Sequence, residues 1–93
     1  MIKVEKSASK VIISCKDFYF LQLRDNKKNI LYPNKWCFFG GQLKKNESSL
    51  VGAKRELKEE LLFLPKKINY YSKFINFETR TEIYFYYIKL NNL

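Results

Sequence analysis

The amino-acid sequence predicts an α/β (α+β) domain in the order β-β-β-α-β-β, with one dominant helix. Three observations carry this expectation. Residues 49–64 hold apolar side chains at helical spacing. Short runs rich in β-branched and aromatic residues lie on both sides of that segment. Between the runs sit clusters of turn-forming residues and a Gly pair.

Along the chain, residues 10–24 read as two β-rich runs around Lys16–Asp17: Val11, Ile12 and Ile13 open one, and Phe18, Phe20, Leu21 and Leu23 belong to the other. Residues 25–35 collect Asp, Asn, Lys and Pro, the composition of a surface loop. The run Trp36-Cys37-Phe38-Phe39 stops at Gly40-Gly41, as a buried strand does where the backbone must turn tightly or approach a ligand. A polar connector, Gln42–Glu47, leads to Ser48, an N-cap residue type. Leu50, Ala53, Leu57, Leu61 and Leu64 then form one helical stripe, and Pro65 marks its stop. Ile68–Phe77 and Thr81–Leu90 read as two further strands joined by a hairpin turn at Glu78-Thr79-Arg80.

Ninety-three residues make one domain, spanning 1–93, with no room for a second core. A chain this short buries only about 60–65% of the surface that its unfolded form exposes, so its stability margin is thin. The formal charge is +9, from 18 Lys+Arg against 9 Asp+Glu. Such a surface attracts polyanions, but scattered Lys also keeps a small protein soluble, so charge by itself selects no partner. No basic-aromatic signature of an RNA-binding module is present, and nucleic acid is not the expected partner. Cys15 and Cys37 form no CxxC pattern, and the chain has no His, which argues against zinc. Two such cysteines fit reduced thiols in the cytoplasm. The N-terminus lacks the apolar run of a signal peptide, and no stretch is long enough to span a membrane.

The informative feature lies on the helix. At helical spacing, Glu56, Glu59 and Glu60 fall within an arc of about 100°. Together with Glu47 they are 4 of the 9 acidic residues in a strongly basic chain. Neighbouring carboxylates repel, so a cluster of them asks for a counter-charge. Oxygen donors without His suit a hard cation, Mg²⁺ or Mn²⁺. The plainer alternative is a solvated helix face, with Arg55 and Glu59 paired one turn apart and Lys54 and Lys58 nearby. Two neighbours favour the metal. Gly52 lies on the carboxylate side and leaves room there. Gly40-Gly41 stands just upstream, able to bring bare backbone to a metal or phosphate.

Gly41, five residues, Glu47, seven residues, and then Arg55-Glu56-Leu57-Lys58-Glu59-Glu60 resemble the Nudix box, here residues 41–63. The likeness extends upstream through Leu21–Asp25 and Tyr32–Trp36, and downstream through residues 70–90. It covers most of this chain but about the first two-thirds of a family domain. The resemblance implies a mixed β-sheet sandwiched by helices, with the box helix packed on the sheet. The second, C-terminal helix of the family would be missing here.

By the same resemblance, Glu59 and Glu60 hold Mg²⁺ with the main-chain carbonyl of Gly40, while Glu56 completes the metal set or acts as the base for the attacking water. Glu47 and Arg55 form the salt bridge that orients the loop, with Gly41 at its start, and Arg24 falls where some members place a cation on the substrate phosphates. The implied reaction is Mg²⁺-dependent hydrolysis of a diphosphate linkage in a nucleoside diphosphate derivative, with water attacking phosphorus. A metal that acidifies bound water and offsets phosphoryl charge makes a His nucleophile unnecessary.

Some features depart from the family pattern. Leu62-Phe63 stand where the box closes with Gly and a hydrophobic residue, and Phe39 replaces a frequent Pro. An additional acidic ligand, which the missing part often supplies, would have to come from Glu78 or Glu82, although a solvent-facing hairpin charge is the simpler account of both. An incomplete sheet face, with the aromatic residues 84–87 exposed, would invite a homodimer. The alternative to an active enzyme is a non-catalytic nucleotide-binding or regulatory module with the same box.

Overall fold

The computed structural model describes residues 3–23, 35–61, 65 and 67–91. Seven strands and one helix follow in the order β1 (Lys6–Cys15), β2 (Phe18–Phe20), β3 (Gln22–Leu23), β4 (Trp36–Cys37), β5 (Phe39–Gln42), α1 (Ser49–Leu61), β6 (Asn69–Asn76) and β7 (Thr81–Leu90). The predicted mixed sheet is present, with the one helix of the described residues packed on it.

Five strands form that sheet, in the order β2-β1-β7-β6, with β5 also paired to β1. Strand β1 runs parallel to β7 along its whole length, from Lys6 opposite Thr81 to Cys15 opposite Leu90. Its other edge is shared: Ala8–Val11 pair antiparallel with β5, and Ile13–Cys15 with β2. Every strand of this sheet therefore depends on β1 directly or through β7. A separate two-stranded sheet joins β3 to β4.

Two tight turns lie at the predicted positions. Lys16 (φ 54°) turns β1 into β2, and Arg80 (φ 54°) closes the turn between β6 and β7. In the second turn the Asn76 side chain accepts from the amides of Glu78 (3.0 Å) and Thr79 (3.2 Å), the Asx geometry that makes Asn a turn former.

The core lies between the sheet and α1. Val11, Ile13, Phe39, Ala53, Leu57, Tyr86 and Ile88 are buried together, and Phe20, Leu61, Ile68, Tyr84 and Leu90 pack around them. Alternation supplies the sheet side: Val11 and Ile13 on β1, and Tyr86 and Ile88 on β7, project to one face. Ser48 caps the helix as expected, its Oγ accepting from the amide of Val51 at 3.2 Å.

The structure corrects several expectations. Strand β1 begins at Lys6, not near Val11, because its backbone pairs with β7 whatever side chains it carries. The Trp36–Phe39 run is not one buried strand. Trp36 is exposed and pairs with Leu23, whereas Phe39 is buried and pairs with Val11. Gly40-Gly41 lie inside β5 rather than beyond its end. Leu50 is exposed although it belongs to the apolar stripe; Ala53 and Leu57 make the contact instead. Of residues 84–87, Tyr86 is buried and Tyr84 and Phe85 half-buried, so the exposed aromatic surface lies mainly elsewhere. Leu64 and Leu62-Phe63 fall outside the described residues.

Leu57 is fully buried in this small core, so Leu57→Ala removes contacts that the neighbours cannot replace. The expected cost is about 2–5 kcal/mol, read as a lower midpoint in urea denaturation, with the half-buried Leu61→Ala shifting it less.

Candidate active site

Helix α1 is gripped on two sides. One flank faces the sheet, and a neighbouring flank faces the loop of residues 43–48. Gly52 is where the loop comes closest, since a Cβ there would overlap Leu43 Cδ2 and lie 3.2 Å from Glu47 Oε1. The absent side chain therefore makes room for Leu43 and Glu47 of the loop, and the gap expected beside the carboxylates is filled by them.

Arg55 fastens the loop to the helix. Its Nε donates to Glu47 Oε2 at 2.7 Å and its Nη2 to Glu47 Oε1 at 3.0 Å, the paired geometry that favours Arg over Lys. Nη2 also reaches the main-chain oxygen of Gln42 at 3.3 Å, at the end of β5. Glu47 Oε1 in turn accepts from the amide of Lys44 at 2.9 Å. The Arg55 hydrogen bond, joined by the Lys44 amide, holds the Glu47 carboxyl at a pKa of about 2. The guanidinium is pushed further toward its charged form, first by its hydrogen bond to Glu47.

The same guanidinium touches the carboxylate cluster. Arg55 Nη1 lies 3.0 Å from Glu56 Oε1 and 3.4 Å from Glu59 Oε2, so the pair expected of a plain helix face is also formed. Glu56 is the shielded member, its side chain 13% exposed, while that of Glu59 is 53% exposed and Glu60 also faces solvent. Strand β5 supplies the wall beside Glu56. A Cβ on Gly41 would sit 2.6 Å from Glu56 Oε1, so any larger residue there would oblige the carboxylate to shift away from the strand. Gly40, next along, has φ +138°, and a Cβ there would overlap the main-chain oxygen of Ser9. The Gly pair thus serves two contacts: one closes β5 onto β1, the other leaves space for Glu56.

The structure brings Gly41, Glu47, Arg55 and Glu56 together, with Glu59 at the edge and Glu60 on the same helix. Arg24 lies outside the described residues. Glu82 is committed to the sheet, taking Lys73 Nζ at 3.1 Å and Ser7 Oγ at 3.1 Å; Lys73 is the first cause of its lowered pKa. Glu78 sits exposed in the β6–β7 turn. Among the described residues, no three His, Cys, Asp or Glu side chains are gathered as a ready-made ion cage. The donor chemistry still fits a hard cation, because the cluster offers carboxylate oxygens beside the bare backbone of Gly41.

Sequence reasoning missed the polar seam that seats the helix. Ser9, fully buried on β1, donates to the main-chain oxygen of Ser49 at 2.7 Å. Ser49 Oγ and the Tyr86 hydroxyl share a hydrogen bond of 2.6 Å. These three residues fix the first turn of α1 against the sheet, and nothing in their spacing announces it.

Fold and helix site together define a domain of the loop–helix–loop type, with acidic residues displayed beside a glycine-bearing strand. The NUDIX domain model matches residues 6–92, and the chain belongs to that family. Solved structures agree in fold. DR0079 from Deinococcus radiodurans superposes with a TM-score of 0.80 at 17% identity, over 100% of this chain and 60% of that one. A mutT/nudix family protein from Listeria innocua gives 0.79 at 19% identity, over 94% and 66%. The Ap4A hydrolase of C. elegans gives 0.67 at 18% identity, over 94% and 69%. The chain thus spans 60% and 66% of the first two structures' length. No curated protein matches it by sequence. Among the described residues no helix is long and apolar enough to cross a membrane.

The depressed Glu47 pKa has a definite sign. An unfolded carboxyl titrates near about 4.3, so the Arg55–Glu47 pair contributes its full stability above that pH and loses it as pH falls toward about 2. Melting temperature measured from pH 6 to pH 2 should therefore drop through this window in the wild type. Glu47→Gln should melt lower at pH 6 and show a flatter acid limb.

Proposed function

We propose that the chain hydrolyses a diphosphate linkage in a nucleoside diphosphate derivative, a nucleoside triphosphate, oxidised nucleotide or nucleotide sugar, with water attacking phosphorus. The observation that carries the reading is the placement of Glu56 against Gly41 by the Arg55–Glu47 pair. Family membership and structural neighbours named as MutT and Ap4A hydrolase support the same reaction class.

In this proposal Glu56, Glu59, Glu60 and the carbonyl of Gly40 hold Mg²⁺, or Mn²⁺ in its place. Bound there, such an ion would supply Lewis acidity toward water and toward the phosphoryl oxygens. The chain's own residues do the positioning. Arg55 and Glu47 keep the loop closed on α1, Gly41 leaves Glu56 its place, and Glu56 accepts the proton of the attacking water or completes the donor set. Arg24 binds the substrate phosphates. The free thiols Cys15 and Cys37 suit a reducing compartment, which we take to be the cytoplasm.

A second reading, a nucleotide-binding or regulatory module without turnover, is favoured by one observation. Arg55 already contacts Glu56 and Glu59, so part of the cluster has an internal cation.

Incubation with a nucleotide panel and Mg²⁺, with products resolved by mass, separates the two. Hydrolysis should yield a phosphate monoester and a second phosphorylated product. Glu59→Gln and Glu60→Gln should each lower kcat by roughly two orders of magnitude or more, the scale on which single charge-stabilising groups act. Full activity in both variants would remove the metal assignment, and binding without products would select the second reading.

A further inference from the structure

Strand β6 is an outer strand of the main sheet and pairs, among the described residues, with β7 alone. Its side chains face water: Tyr70, Tyr71 and Phe74 are each more than half exposed and Ile75 is 40% exposed. An edge strand is a row of unmatched N–H and C=O groups, and proteins that keep such an edge single protect it with charge, Pro or brevity. Strand β6 is eight residues long and has no Pro; its one ionisable side chain besides the weakly acidic tyrosines is Lys73. That cation is matched within the chain by Glu82 at 3.1 Å. The protein as a whole is +9, yet the strand itself presents no net charge to an approaching strand.

We propose that β6 pairs antiparallel with the β6 of a second copy of this chain, joining two sheets into one. An open backbone edge selects a strand as its occupant. The other free edge of the sheet is divided between β2, of three residues, and β5, of four, too short to match an eight-residue strand. Self-pairing also closes, because a strand laid antiparallel on its own copy has a two-fold axis and leaves no further β6 edge to extend a fibre.

The register follows from β6 itself. Its irregularity lies between Tyr70 and Ser72, leaving Ser72–Asn76 in regular pairing with β7. Across a two-fold axis perpendicular to the sheet, opposed residues must share a face, so the axis passes midway between one residue and its own copy. Centred on Phe74, it uses all five regular residues. Phe74 then meets the partner's Phe74 on one face, an aromatic pair of the kind that stabilises sheets. On that same face Ser72 lies across the partner's Asn76, and on the other face Lys73 lies across the partner's Ile75, where its aliphatic stem packs. Centring on Lys73 would set two ammonium groups opposite each other, which is unfavourable. The dimer thus covers the exposed aromatic side chains at the strand's centre without opposing like charges.

Sedimentation velocity tests this directly. At tens of micromolar the wild-type chain should sediment at twice its 11.2 kDa mass. Phe74→Lys, which sets like charges across the axis, should sediment as a monomer while its circular dichroism stays native. Where that variant fails to fold, a cross-link decides. Phe74→Cys in a Cys37→Ser background should form a covalent dimer in oxidised glutathione, since residues opposed across antiparallel strands lie within disulfide reach. Phe77→Cys in the same background, exposed but beyond the strand, should not. A wild type that stays monomeric, a folded Phe74→Lys that stays dimeric, or equal cross-linking at both positions would overturn the proposal.

Discussion

Arg55 meets three parts of the molecule with one planar group. Its guanidinium binds Glu47 of the loop, the main-chain oxygen of Gln42 at the end of β5, and Glu56 and Glu59 of its own helix. A charged fork with several donors in a fixed plane can do this, and a Lys ammonium cannot. The loop has little else to hold it: Leu43 at Gly52, and the amide of Leu43 donating to the Ser7 oxygen at 2.8 Å. The relation between strand, loop and carboxylate helix therefore hangs on one pair of ionic residues, in a part of the molecule with few apolar contacts.

The sheet beneath is economical in a different way. Helix α1 contributes Ala53 and Leu57 to the core and leaves Leu50 and Val51 in water, so its packing rests on a small area. The Ser9–Ser49–Tyr86 seam adds orientation where apolar contact is sparse. Hydroxyls satisfied by a main-chain oxygen or by one another cost little, and their directionality fixes the helix in a way that a methyl contact does not. The opposite face of the sheet carries aromatic pairs instead, with Phe38 and Phe74 each edge-on to Phe85. The two faces are thus held by different physics, one by a capped helix and one by rings.

The carboxylate helix was legible in the sequence because its signals are local. Helical period, the Ser48 cap and the spacing from Gly41 through Glu47 to Arg55 can all be read along the chain. So could both hairpins, from Lys16–Asp17 and from the residues around Glu78. What stayed hidden depends on partners distant in sequence. Nothing in Lys6–Ser9 signals a strand until β7 lies alongside, and Gly40-Gly41 read as an ending because β1, which keeps them extended, was not in view. Trp36 and Phe39 belong to one apolar run, yet Phe39 is buried beside Val11 and Trp36 is left in water. Gly52 suggests an open gap beside the carboxylates because the approach of Leu43 is a tertiary contact. Ser9, Ser49 and Tyr86 had no shared pattern at all.

The parallel pairing of β1 with β7 has a kinetic consequence. It joins the first strand to the last, with Ser7 bonded to Glu82 across 75 positions of the chain. Closing so large a loop costs entropy before any contact offsets it, and domains dominated by such pairings fold slowly. Until β7 arrives, β1 has only β5 and β2 along one edge, and the core lacks Tyr86 and Ile88. The hairpins and the helix can form early, but the sheet that seats them is finished last. During that interval the bare side of β1 is itself an open strand edge, and any rival strand that finds it first diverts the chain from its fold.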